Sequence, residues 1–144
     1  MLRFAIPAAA MLALVAPAHA GGHGGSSEPP PPKPEAQPSP ARVVMTKHGS
    51  KLVDPQGMTL YYYERDTSGK TSSCDGKCTE SWPPLAAPKD AQPVGDFTVI
   101  TRSDGSKMWA YRYRPLYTSI ADKAPGDVNG TATTLQWHVV KPEQ

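Results

Sequence analysis

Little in this chain points to catalysis. No Gly-x-Ser-x-Gly elbow is present, and the domain that follows the N-terminal segments holds only His48 and His138, in no recognisable catalytic spacing. No glycine-rich loop joins a strand to a helix, so a phosphate cradle is not supported. Beyond residue 20 no apolar run is long enough to span a bilayer. Charge of one sign is missing too. Removal of Arg3 with the first twenty residues leaves 14 basic against 13 acidic groups, interspersed, which argues against a nucleic-acid footprint.

Residues 1–20 read as an export signal: Arg3 at the start, an apolar stretch from Phe4 to Val15, and the small-x-small site Ala18-His19-Ala20. Cleavage after Ala20 is expected, with Ala18 as a second possible site. No cysteine lies nearby to carry a lipid. Residues 21–41 form a linker, first Gly/Ser-rich, then with seven prolines between Pro29 and Pro40. Such a run makes neither helix nor sheet ladder and serves as a stiff spacer. A periplasmic or secreted protein without a transmembrane segment is the expectation.

About a hundred residues, 42–144, remain for one domain, a size that folds alone around a moderate core. A short pattern is written there twice. Gly49-Ser50-Lys51 recurs as Gly105-Ser106-Lys107, Leu60-Tyr61 as Leu116-Tyr117, and Asp66 as Asp122, each pair 56 positions apart (105 from 49, 117 from 61, 122 from 66). An offset held through strand-like runs and their turns marks a duplicated unit. The repeats are placed at about 43–82 and 97–140, joined by an irregular, Pro-containing connection over 83–93.

Turn formers interrupt the domain every eight to twelve residues, among them Asp54-Pro55-Gln56-Gly57 and Ser103-Asp104-Gly105. Short runs rich in Val, Ile, Thr, Tyr and Trp lie between them. The pattern predicts an all-β, small antiparallel domain with strands at 43–47, 51–53, 58–64, 97–101, 107–113, 115–119 and 135–140.

Cys74 and Cys78 are the only cysteines, and in an exported chain an even count reads first as a disulfide. Three residues between the thiols is not the spacing of a redox pair, and metal ligation is a weaker reading. Tyr61, Tyr63, Asp66, Tyr117 and Asp122 are the candidate motif residues. The aromatics read as core and cross-strand packing, and the aspartates as turn caps accepting backbone N–H bonds. A sharper alternative makes Trp82, Trp109 and Trp137 an exposed platform for a flat ligand. If cleavage follows Ala20, Gly21-Gly22-His23 offers an α-amine, two amide nitrogens and an imidazole, a square-planar set selecting Cu(II) or Ni(II). Met45, Met58 and Met108 read as core fillers before a soft-metal site.

Several segments resemble one family. Leu52-Val53-Asp54, Gly57 to Asp66, Cys74 to Cys78, Trp82-Pro83-Pro84-Leu85, Pro115-Leu116-Tyr117 to Asp122 and Pro125-Gly126-Asp127 are similar to the bacterial secreted-repeat family of predicted lipoproteins. Its mark is a Tyr-x-(Phe/Trp/Tyr)-x-x-Asp motif, met in full by Tyr61, Tyr63 and Asp66. The second copy keeps Tyr117 and Asp122 but has Ser119 where an aromatic is expected. Tyr113 stands where the family usually has Gly, which argues against a sharp turn there. The resemblance implies an extracytoplasmic repeat domain and supplies no reaction. The expected function is therefore a non-enzymatic binding or structural module, its partner an unknown envelope component or small ligand.

Overall fold

The computed structural model describes Gly21 and residues 36–132 and 134–142. The expected signal, most of the linker, and Gly22 and His23 lie outside the described residues. Seven strands occur among those described: β1 (Arg42–Thr46), β2 (Gly49–Val53), β3 (Tyr61–Tyr63), β4 (Phe97–Thr101), β5 (Lys107–Tyr111), β6 (Arg114–Pro115) and β7 (Trp137–Val139). One four-residue helix, α1 (Cys78–Ser81), and a 3-10 turn, Asn129–Ala132, complete the regular elements. The domain is all-β and antiparallel, as its pattern of short strands and turns predicts.

The strands form three small sheets, β1–β2, β3–β7 and β4–β5–β6. Hairpins arise where the turn chemistry sits. Asp54 accepts from the backbone N–H groups of Gln56 and Met58, and Gly57 closes that turn at φ 89°. Between β4 and β5, Gly105 donates to the Arg102 carbonyl from φ 83°. The sharp turn that Tyr113 argued against is nevertheless present. Arg112 and Tyr113 take φ of 45° and 65° between the paired Tyr111 and Arg114, the primed turn that follows strand twist but favours Asn-Gly. Gly69 makes the room: a Cβ there would lie 2.5 Å from that of Tyr113.

The two copies exchange their ends. In the first, Leu60 donates to Leu52 and Leu52 to Val140, while Val140 donates to Leu60. In the second, Leu116 donates to Trp109, Trp109 to Leu85, and Leu85 to Leu116. Each three-residue node thus borrows its third member from the tail of the other copy. The connection expected to be irregular from 83 therefore begins regularly, with Pro84 bridging Tyr117 and Ala86 bridging Met108. Its prolines accept backbone bonds without having to donate them. One buried cluster gathers Leu52, Leu60, Phe97, Trp109, Leu116 and Val140; the other gathers Tyr61, Trp82, Ile100, Met108, Tyr117 and Trp137.

Cys74 and Cys78 are joined as a disulfide, with Cα atoms 5.2 Å apart. The loop is short, so replacing both by Ser should lower stability by only about 2 kcal/mol on the chain-entropy estimate. Denaturant unfolding of the double variant checks this. Failure to fold, or two alkylatable thiols in exported wild-type protein, would contradict it.

Candidate functional site

The duplicated tyrosines meet across the centre of the domain. Tyr61 donates its N–H to the Tyr117 carbonyl at 2.8 Å, and Tyr117 returns the bond at 2.9 Å. This mutual pair is the hydrogen-bonded unit of an antiparallel ladder, and it relates the copies by a local twofold arrangement. Both side chains are fully buried, so both hydroxyls require partners. They find them crosswise. The Tyr61 hydroxyl donates to Asp122 Oδ2 at 2.8 Å, and the Tyr117 hydroxyl donates to Asp66 Oδ2 at 2.6 Å.

Each carboxylate uses its other oxygen as a turn cap, as expected from sequence. Asp66 Oδ1 accepts from Ser73 N–H and Asp122 Oδ1 from Asn129 N–H, seven residues downstream in both copies. Burial first, and then the bond to Asp122, pushes the Tyr61 hydroxyl well above the ordinary phenol range. Burial and the bond to Asp66 do the same for Tyr117.

Buried cations cross between copies as well. Arg102 donates to Ser72 Oγ, the Cys74 carbonyl and Asp75 Oδ1, all on the loop after Asp66. Lys51 donates to Thr59 Oγ1 and the Gly126 carbonyl, reaching the loop after Asp122.

The tryptophan platform is overturned. Trp82, Trp109 and Trp137 are 7%, 4% and 4% exposed. Trp82 and Trp137 stack on each other at 3.9 Å between centroids, and Tyr63 stacks on Trp137 at 4.5 Å. Their strands turn these rings inward because Tyr63 and Trp137 are register partners and Trp82 closes the face behind them. Gly130 fits under this group; a Cβ there would stand 2.8 Å from both Trp82 and Tyr61. The methionines share no environment either, with Met108 buried and Met45 71% exposed. Among the described residues no group of three His, Cys, Asp or Glu side chains is placed to hold a metal.

The surface feature that sequence reasoning missed lies on the other face of β3. Tyr62, Arg112, Arg114, His138 and Lys141 line a groove of about 590 Å³. The Arg114 guanidinium lies 4.1 Å over the Tyr62 ring, which packs at 5.1 Å against His138. Strand alternation sets Tyr62 on the face opposite Tyr61 and Tyr63, but nothing in the sequence brought the Arg112–Arg114 turn beside it.

Two outcomes follow from the crossed bonds. Tyr61→Phe and Tyr117→Phe should each cost about 1–3 kcal/mol, since each strands a buried carboxylate oxygen. In a double-mutant cycle Tyr61→Phe should couple to Asp122→Asn by about 0.5–3 kcal/mol and add simply with Asp66→Asn. Coupling within a copy instead of across would refute the exchange. The second outcome concerns alkaline pH. Both hydroxyls titrate above the unfolded value of 10.0, so their stabilising effect is complete below that pH and is lost as pH rises toward the folded values. Phenolate absorbance should show Tyr61 and Tyr117 ionising only with unfolding, a late phase that the double Phe variant lacks.

No curated protein and no solved structure matches the chain. A family model described as a secreted repeat of unknown function matches it twice, over residues 42–86 and 98–141, together more than half of the chain. The end of each matched segment takes in the tail residue, Leu85 or Val140, that each copy lends to the other. The chain belongs to this secreted-repeat family.

Proposed function

We propose that the domain is a non-enzymatic module of the periplasm or cell envelope, acting by binding or as a scaffold. One observation carries the reading. The tyrosines and aspartates of the duplicated motif bond to one another in the interior, each hydroxyl on the opposite copy's carboxylate. Groups so paired hold the fold and are withdrawn from a substrate. Purified mature protein should show no turnover in a broad hydrolase and oxidoreductase screen. Activity that survives repurification and disappears on unfolding would overturn the reading.

A second reading, from a different class, rests on Gly21-Gly22-His23. Cleavage after Ala20 would free the α-amine that a square-planar Cu(II) or Ni(II) site needs as its first ligand. The mature chain should then take up one Cu(II) per molecule, with affinity falling on acidification as protons compete for amine, amide and imidazole nitrogens. N-terminal sequencing followed by Cu(II) titration tests it. Cleavage after Ala18, or equal uptake by His23→Ala, would remove it.

A further inference from the structure

We propose that the groove between Tyr62 and the Arg112–Arg114 turn binds an acidic glycan through carboxylate or phosphate groups on its sugars. The inference rests on the binding-module reading and names its ligand class.

Charge is the first ground. The chain as a whole is nearly neutral, yet Arg112, Arg114 and Lys141 converge on this groove and no carboxylate lines it; His138 beside them faces Glu64 at 3.4 Å. Arg112 is held by Asp96 at 3.0 Å. Among the described residues no carboxylate lies within ion-pair distance of Arg114 or Lys141. A guanidinium laid flat on an aromatic ring keeps its N–H edge free for the bidentate contact that carboxylate and phosphate oxygens accept. Arg114 is exposed, with its guanidinium carbon 4.1 Å from the centre of the Tyr62 ring.

Shape is the second. The groove's volume of about 590 Å³ is ample for a sugar unit. An adjoining recess of about 510 Å³ shares Tyr62, Arg112, Arg114 and His138 and adds Glu64 and Asp66, so the surface continues past one unit, with the anionic groups of a ligand placed in the carboxylate-free groove and its neutral hydroxyls toward the recess. A chain-like ligand uses that length; a single small anion does not. Tyr113 lines the recess, 73% exposed, on a left-handed backbone that a tyrosine adopts only under strain. A flat anionic membrane fits less well. The exposed apolar residues Val43, Met45 and Leu135, which would enter a bilayer surface, are not among those lining the groove.

The test is isothermal titration of the mature full-length chain with hexagalacturonate and with a phosphorylated mannose oligomer, with maltohexaose as the neutral counterpart. At least one acidic oligomer should bind, more weakly as salt is raised, and maltohexaose should not. Arg114→Gln should weaken binding by about tenfold or more, the loss of one charge-assisted contact. Lys89→Gln, which removes a charge on an exposed loop elsewhere, should leave it unchanged. Equal binding of maltohexaose, equal weakening by Lys89→Gln, or uptake on phosphatidylglycerol vesicles without oligomer binding would overturn the proposal. Mass spectrometry of the incubated oligomers separates it from the broader reading. Shortened chains would sink the non-enzymatic reading and leave the groove occupied, whereas intact chains that fail to bind would sink the groove assignment alone.

Discussion

A buried tyrosine hydroxyl and a buried carboxylate each need a partner that water no longer supplies, and this domain satisfies both needs with one crossed arrangement. Tyr61 cannot easily serve its own Asp66. After β3 the chain turns at Glu64 and Arg65, with Asp66 donating its N–H to the Tyr63 carbonyl, and the Asp66 carboxylate meets the Tyr117 hydroxyl instead. The mutual backbone pair of Tyr61 and Tyr117 removes the problem by bringing the second copy alongside, antiparallel. Each hydroxyl then lies at the opposite copy's carboxylate, and each carboxylate still caps its own loop. Because the carboxylate that each tyrosine hydroxyl meets belongs to the other copy, neither repeat can complete its own polar interior.

The loops after the two aspartates show the same dependence reached by different chemistry. After Asp66 the chain carries the Cys74–Cys78 disulfide and is held from the second copy by Arg102. After Asp122 there is no cysteine. Asp127 instead accepts from the N–H groups of Lys123 and Ala124, which holds its carboxyl below the usual range. Lys51 and Thr59 of the first copy bond to the carbonyls of Gly126 and Asp127. A covalent staple in one copy thus stands where a carboxylate-centred turn stands in the other. The common requirement is a firm loop that presents a backbone N–H to the aspartate.

The duplication, the all-β class, the turns at Asp54–Gly57 and Ser103–Gly105 and the disulfide were legible in the residues, since each depends on local spacing; the turn at Arg112–Tyr113 was not, because neither residue favours a left-handed backbone. The exchange between copies was not, because a fixed offset reports that two segments are alike and not where they lie. The offset itself conceals a slip. Gly49-Ser50 belongs to β2, whereas Gly105-Ser106 closes the turn before β5. By hydrogen bonding the counterpart of Leu52 is Trp109, one position beyond the sequence match, and register returns at Leu60 and Leu116. The three-residue loop at Pro55-Gln56-Gly57 against the two-residue turn at Arg112-Tyr113 absorbs the difference. For Trp82 and Trp137 the packing reading holds and the platform alternative fails, because alternation says which residues share a face while the partner strand decides which face is covered.

The turn at Arg112 and Tyr113 works against the folding energy. A left-handed backbone costs an ordinary residue roughly 1–2 kcal/mol, and Tyr113 recovers little of that through burial, being 73% exposed. Glycine would be easier in the same conformation. The fold accommodates the strain because the turn is clamped on both sides. The ladder pairs Tyr111 with Arg114, and Asp96 takes both the backbone N–H and the side chain of Arg112. The turn so fixed presents an arginine on either side of an exposed tyrosine, beside the one tyrosine of the Tyr61-Tyr62-Tyr63 run that faces away from the aromatic stack.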